Sequence, residues 1–222
     1  KNWFIGESLL ELQKNWKNRG SCLLILSGDP TQLIPKLAEL IKAECIYWNE
    51  NIEPYEINRD KKITGHLLKE KRKVYTFLDQ LLVNPVNIKT NNDEPYKVYG
   101  AFYRKWIDII KKSNISNNNS IKISRTPEKF RGLNKRELSL IKNSDLKYCL
   151  TKESEPIYDL LSLNRFKDDN LCPCKPGESE SINQLNFFIN SGIINSYNEA
   201  RDIPSLESTS NLSAALSLGT IS

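Results

Sequence analysis

Hydroxyl side chains are concentrated near the end of the 222-residue sequence, just ahead of an apolar repeat with helical spacing. Thr209, Ser210 and Ser213 surround the predicted start of a helix on which Leu212 and Leu216 recur four residues apart. The first N–H groups of a helix have no partner within it, and the helix dipole favours an anion there. The segment therefore has the chemistry to hold a phosphate group. A core helix capped by Ser or Thr is the alternative that the same residues allow.

An aromatic residue and an ion pair precede this segment. Tyr197 is followed by Arg201 and Asp202, and Pro204 ends the helix that they belong to. Taken alone, the residues favour a tyrosine in the core and an arginine that is solvated or paired with its neighbour. A guanidinium is also well suited to bind phosphates.

The whole string resembles the flavin-binding entrance of the DNA photolyase/cryptochrome family. The family pattern is Tyr, then Arg-Asp-x-Pro, then Gly-Thr-Ser-Arg-Leu-Ser-x-x-Leu-x-x-Gly-x-Ile-Ser. The matching positions, in order, are Tyr197, Arg201, Asp202, Pro204, Thr209, Ser210, Leu212, Ser213, Leu216, Gly219, Ile221 and Ser222. Two positions depart from the pattern, because Ser208 replaces the usual Gly and Asn211 replaces the usual Arg or Gly.

This resemblance implies roles for individual residues. The family positions that contact FAD correspond here to Tyr197, Thr209, Ser210, Asn211, Leu212 and Ser213. Asn211 can form hydrogen bonds but supplies no charge. The family arginine that lies near the DNA phosphates corresponds to Arg201.

A second region, from about residue 5 to 112, is similar to the antenna domain of the same family. The motifs that carry this similarity are Trp48-Asn49, residues 53–56 (Glu-Pro-Tyr-Glu), Arg59-Asp60 and residues 95–98 (Pro-Tyr-Lys-Val). By resemblance, Glu56 corresponds to the carboxylate of the folate-binding version, which favours 5,10-methenyltetrahydrofolate over an 8-hydroxy-deazaflavin as the antenna chromophore. An ordinary carboxylate in the first turn of a helix is equally compatible with the sequence.

Helices and short apolar strands alternate through this region. The patterns predict four helices: one over 5–19, one from a cap at Thr31 to Ile41, one that follows a loop at 49–60, and one over 99–112. They predict three strands, at 22–26, 45–48 and 73–77. This order predicts an α/β fold with a doubly wound parallel sheet covered by helices on both faces. No Gly-x-Gly-x-x-Gly fingerprint is present.

Changes in sequence character predict three parts: an α/β antenna domain at 1–112, a connector at 113–176 and the first helices of an all-α FAD-binding domain at 177–222. In the connector only a short helix near 136–141 is predicted. The family domain begins with further strands, and its flavin motif continues past Ser222. We therefore expect a fragment truncated at both ends that binds FAD weakly and repairs no DNA by itself.

Composition limits the partners, metals and cellular compartment that the sequence allows. The net charge of +5 is compatible with a polyanionic partner, and hydropathy gives neither a membrane span nor a signal peptide. The five cysteines lack zinc-site spacing, so no metal is expected; Cys22 and Cys45 read as buried thiols, and His66 as a surface residue. A reduced, cytoplasmic monomer is the expectation.

The resemblance implies a class I cyclobutane pyrimidine dimer photolyase, a lyase in which reduced FAD, excited directly or through an antenna, donates an electron to a dimer flipped out of DNA. The expected partner is DNA that contains pyrimidine dimers. A blue-light cryptochrome without repair activity is the alternative from another class. An α/β domain that binds no flavin is the third possibility.

Overall fold

A computed structural model of the chain describes residues 2–113, 128–148 and 174–222. The helices are α1 (Asn2–Asn18), α2 (Pro30–Leu40), α3 (Pro54–Lys69), α4 (Tyr99–Lys112), α5 (Lys135–Asn143), α6 (Glu178–Asn190), α7 (Ile193–Ala200) and α8 (Ser213–Leu218). The strands are β1 (Cys45–Asn49) and β2 (Lys73–Phe77). Single 3₁₀ turns occupy Pro85–Asn87 and Asp145–Tyr148.

The sheet is parallel, and α3 forms the crossover between its strands. Register runs from the Cys45–Lys73 pair to the Asn49–Phe77 pair. The inward side chains of the strands pack on α2 and α3 around Ala38, Ile63 and Leu67. Parallel strands joined by a helix define an α/β fold, so the predicted fold class is confirmed.

The opposite face of the sheet carries aromatic side chains. Tyr47 stacks on Tyr75 with ring centroids 4.9 Å apart, and Phe77 extends the row. All three side chains are exposed. Within the described part of the chain, helices therefore cover one face of the sheet, where the sequence predicts cover on both.

The predicted strand at 22–26 is wrong. In the structure this segment is irregular, and a single bridge residue, Leu26, is its only strand-like position. Apolar composition alone does not make a strand, because a strand also needs a continuous ladder of hydrogen bonds to a neighbour. Cys22 is exposed and Cys45 half-buried, so the expectation of two buried thiols fails at Cys22.

Two helix starts differ from prediction. The cap of α2 is Asp29, which accepts hydrogen bonds from both the N–H and the hydroxyl of Thr31, so Thr31 is not the cap. Helix α3 begins at Pro54, within the stretch predicted as loop. Proline is favoured at the first helical position, where its missing N–H costs nothing.

Helix α1 belongs to two neighbourhoods. Near its start, Phe4 is buried in a core with Leu212 and Ala215 from the end of the chain. Near its C-terminal end, Trp16 meets Phe130 edge to face at 5.0 Å. The predicted division at residues 112 and 176 stays a prediction. Helix α1, although it precedes the strands in sequence, packs on the core at the end of the chain.

The predicted short helix in the connector is confirmed as α5. It begins with a capping box between Asn134 and Glu137. His66 is exposed at the end of α3, as predicted. Across residues 2–113, 128–148 and 174–222 there is neither a cluster of metal-ligating side chains nor a helix long and apolar enough to cross a bilayer. Cys149 and Cys172 lie outside the described residues.

Candidate functional site

The hydroxyl segment lies between α7 and α8 and is held at its start by a buried serine. Ser208 is 5% exposed and donates its hydroxyl to the carbonyl of Ala200 at 2.8 Å, where α7 ends. Here a serine stands where the family pattern has glycine. Its hydroxyl ties the segment to α7.

The hydroxyls of the segment do not cap α8. The residue at the N-cap position is Leu212, and no side chain caps the helix there. Thr209 instead donates its hydroxyl to Oδ1 of Asn211 at 3.1 Å. The capped core helix that the sequence also allowed is therefore not what forms. The first turn of α8 is left with N–H groups that no side chain of the described residues satisfies.

Backbone conformation changes hand in the middle of the segment. Asn211 lies in the left-handed region at φ +54°, and Leu212 follows at φ −89°, ψ 2°. Asparagine tolerates the left-handed region better than most residues, as does the glycine found here in some family members. Successive residues of opposite hand turn their N–H groups toward a common point, which is a favourable geometry for an anion.

The residues expected to contact FAD differ in how exposed they are. Thr209, Ser210 and Asn211 are half-buried, Ser213 is exposed, and Leu212 is 5% exposed within the core formed with Phe4. The side chain of Leu212 therefore anchors the segment.

Helix α6 contacts the hydroxyl segment through a side-chain hydrogen bond. Gln184 donates from Nε2 to the carbonyl of Ser210 at 3.2 Å. One turn earlier, the fully buried Ser181 lies 2.9 Å from the hydroxyl of Thr220, beyond the far end of α8. Sequence reasoning missed both residues. Their spacing of three, which places two polar groups on one face of α6, was the available signal.

Tyr197 and Arg201 form a second group on α7 and its C-cap. The guanidinium of Arg201 lies 5.8 Å from the centre of the Tyr197 ring, within the range of a cation–π contact. Phe188 of α6 meets the same ring edge to face at 6.3 Å. Tyr197 remains 37% exposed, so it is not a core residue.

The charge of Arg201 is weakly compensated. Its Nε lies 3.6 Å from Oδ1 of Asp202, and the two side chains are 51% and 84% exposed. An ion pair this exposed is worth little, because water and salt screen it. The guanidinium therefore remains accessible to a phosphate in solution.

Glu56 lies apart from these groups, in the first turn of α3, and is half-buried. This is the position expected for an ordinary first-turn carboxylate, which the helix dipole favours. The structure thus brings 208–213 together with Gln184, pairs Tyr197 with Arg201, and leaves Glu56 on the α/β part of the chain.

The site fits a phosphate-bearing group at 209–213. A half-buried segment supplies hydroxyls, uncapped N–H groups and a backbone turn, and these are donors to oxygen anions. Asn211 contributes an amide where the family pattern has Arg or Gly.

The described residues form a parallel α/β sheet followed in sequence by helices that carry the hydroxyl segment. The family model for DNA photolyase matches residues 1–119. The chain belongs to the DNA photolyase family. The matched residues are the α/β part together with α4.

Among curated proteins, similarity extends across nearly the whole chain. A deoxyribodipyrimidine photo-lyase from Synechococcus is 34% identical over 96% of this chain. A second deoxyribodipyrimidine photo-lyase, from Agrobacterium fabrum, is 27% identical over all of it. These alignments cover 40% and 42% of the relatives' own lengths, so the chain spans about two fifths of them.

Solved structures share the fold. A bacterial class III photolyase from Agrobacterium tumefaciens superposes with a TM-score of 0.76 at 24% identity, covering 99% of this chain and 41% of that one. A Synechocystis cryptochrome gives 0.71 at 18% identity, with 100% and 42% coverage. An archaeal photolyase from Sulfolobus tokodaii, solved with two FAD molecules, gives 0.59 at 20%, with 100% and 41% coverage.

Proposed function

We propose that this chain belongs to a light-dependent lyase that repairs cyclobutane pyrimidine dimers in DNA, and that residues 197–222 form the first part of its FAD site. The observation that carries the proposal is the match to a deoxyribodipyrimidine photo-lyase over 96% of the chain. When bound, reduced FAD supplies the electron that splits the dimer. The residues of this chain bind and orient the cofactor.

Cofactor binding would rest on the hydroxyl segment. Thr209, Ser210 and Ser213 supply hydroxyls, Asn211 and Leu212 supply backbone, and Tyr197 supplies an exposed ring edge. The first turn of α8 supports this role, because no side chain among residues 2–113, 128–148 and 174–222 caps it.

FAD titration of the 222-residue chain tests this assignment, with the backbone amides followed by NMR so that weak affinity suffices. We expect the largest shifts at 209–213. The variant Ser213→Ala should weaken binding by about threefold to tenfold, the cost of one ordinary hydrogen bond. The matched control is Ser217→Ala, an exposed serine one turn further along α8. Equal effects of the two variants, or shifts elsewhere only, would contradict the assignment.

Arg201 would contact DNA phosphates. Its side chain is half-exposed and its partner Asp202 even more so, which leaves the charge available. Replacement of Arg201 with Ala should weaken binding of dimer-containing DNA and make it less salt-dependent, since one phosphate contact is lost. An unchanged salt dependence would count against this role.

Glu56 would bind the antenna chromophore, for which 5,10-methenyltetrahydrofolate is the proposal. A half-buried carboxylate is able to accept hydrogen bonds from a pterin ring. The Sulfolobus tokodaii photolyase, with its two FAD molecules, shows that a family member can hold a flavin beyond the catalytic one. The test measures binding of the folate and of FAD to the wild type and to Glu56→Gln. The antenna chromophore is the one whose binding is weakened by the substitution.

A blue-light cryptochrome without repair activity is the second candidate. The Synechocystis cryptochrome shares the fold at a TM-score of 0.71, and a blue-light photoreceptor from Arabidopsis thaliana is 29% identical over 46% of the chain. Conversion of dimer-containing DNA by the FAD-loaded whole protein to which this chain belongs, in light and in darkness, separates the two. Repair in light alone supports the lyase, and flavin photoreduction without repair supports the receptor.

A further inference from the structure

We propose that Gln184 is a positioning residue for the cofactor, one that sets the orientation of the peptide group between Ser210 and Asn211. This inference rests on the proposed function. The residue lies on α6, outside the flavin motif. It reaches the motif through a single hydrogen bond, from Nε2 to the carbonyl oxygen of Ser210 at 3.2 Å.

The direction of this bond fixes which end of the side-chain amide faces the loop. A carbonyl oxygen can only accept, so the NH₂ group of Gln184 must point at Ser210. The peptide group is planar and trans, so the carbonyl of Ser210 and the N–H of Asn211 point in opposite directions. Because the carbonyl is held toward α6, the N–H of Asn211 is turned away from α6.

The orientation matters because Asn211 adopts an unfavourable backbone conformation. At φ +54° a non-glycine residue costs free energy unless its surroundings hold it. Two contacts do so here: the Gln184 bond on the carbonyl before it, and the Thr209 hydroxyl at 3.1 Å from its own Oδ1. Loss of the first releases the peptide group that precedes the turn.

Gln184 is itself well placed to be rigid. It is half-buried on α6, between Ser181, which is fully buried, and Leu185, which packs on the core of Phe4 and Leu212. The helix therefore fixes the side chain that in turn fixes the loop. A neighbouring exposed amide, Asn183, has the same chemistry without the contact and is a natural control.

The test compares wild type, Gln184→Ala, Gln184→Glu and Asn183→Ala in two measurements. The first is hydrogen exchange at the amides of 209–213 without ligand. The second is affinity for FAD and for riboflavin, which has the ring but no phosphate. We expect faster exchange at 209–213 and a loss of FAD affinity of about threefold for Ala and tenfold for Glu, because a carboxylate cannot donate to the carbonyl. Riboflavin affinity and the unfolding midpoint should change little, and Asn183→Ala should match wild type.

The possible negative results distinguish a failure of the positioning role from a failure of the proposed function. If wild type binds FAD and Gln184→Glu binds it equally well with unchanged exchange, the positioning role is wrong and the proposed function stands. If FAD and riboflavin affinities fall together with the unfolding midpoint, Gln184 is merely structural and the inference is overturned. If wild type binds no FAD, the proposed function fails and this inference fails with it.

Discussion

Glu11 on α1 accepts two hydrogen bonds from Ser179 at the start of α6, although 168 residues separate them in sequence. Oε1 of Glu11 lies 3.0 Å from the backbone nitrogen and 2.6 Å from the hydroxyl of Ser179. Ser8, one turn earlier on α1, accepts the N–H of Gly177 at 3.0 Å. Helix α6 has no side-chain cap of its own, so α1 provides one from the other end of the chain.

Replacement of Gly177 with alanine tests how closely the two helices must approach. A Cβ at this position would lie 1.7 Å from Oε2 of Glu11, and the backbone at φ +100° already disfavours any side chain. We expect Gly177→Ala to lower the free energy of unfolding by about 1–3 kcal/mol in urea titrations followed by circular dichroism. The control is Gly65→Ala in α3, where a Cβ meets nothing within 4 Å. That variant should be neutral or stabilising by up to about 1 kcal/mol.

Removal of the Glu11 carboxylate should loosen the start of α6. Glu11→Ala leaves the N–H of Ser179 without its acceptor, and we expect a loss of about 1–2 kcal/mol. Glu11→Gln keeps an acceptor oxygen and should recover part of that loss. In the Gly177→Ala background Glu11 is already displaced, so its removal should cost less there. Additive effects of the two substitutions would argue against a shared contact.

Phe4 supports the cofactor segment through the core. Its side chain is 3% exposed and packs with Leu212 and Ala215. We expect Phe4→Ala to cost about 3–5 kcal/mol in urea unfolding monitored by tryptophan fluorescence, because it opens a cavity beneath α8. Leu10→Ala, on the more exposed side of α1, should cost less. A smaller loss for Phe4 than for Leu10 would contradict the packing described.

The link between α2 and the 3₁₀ turn after α5 should depend on pH. The hydrogen bond from Lys36 holds the pKa of Asp145 below its usual value of 3.8, and the positive charge adds to this effect. A carboxyl whose pKa is lowered by folding stabilises the fold above its unfolded pKa, and that contribution disappears as pH falls through the folded value. Asp145→Asn should therefore lower the melting temperature slightly at pH 7, and the difference should shrink as the pH falls below 3.8 and through the lowered pKa of the folded protein.

The effect at Asp145 is expected to be small, because its side chain is 87% exposed. A difference between wild type and Asp145→Asn that persists unchanged at low pH would show that the carboxylate charge is not its cause.

Local patterns in the sequence were sufficient to predict the positions of most helices and strands. Apolar spacing predicted α4 over Tyr99–Lys112, and the strands β1 and β2 were predicted within a residue of their ends. These elements are determined by side chains close together in sequence, whose periodicity matches that of the helix or strand. The predicted strand at 22–26 failed for the opposite reason. A strand exists only with a hydrogen-bonded neighbour, and its own residues cannot show whether that neighbour is in place.

The amino-acid sequence by itself determined the family, the α/β class and the hydroxyl segment at 209–213, because these depend on residue types in a fixed order. Tertiary structure alone decided how that segment is held. Contacts from Gln184, Phe4 and Glu11 join residues far apart in the chain, and no local spacing encodes which distant groups will meet. It also decided that Thr209 bonds to Asn211 and that, within the part of the chain the structure describes, no side chain caps the first turn of α8. That choice between a hydroxyl's possible partners depends on the folded backbone.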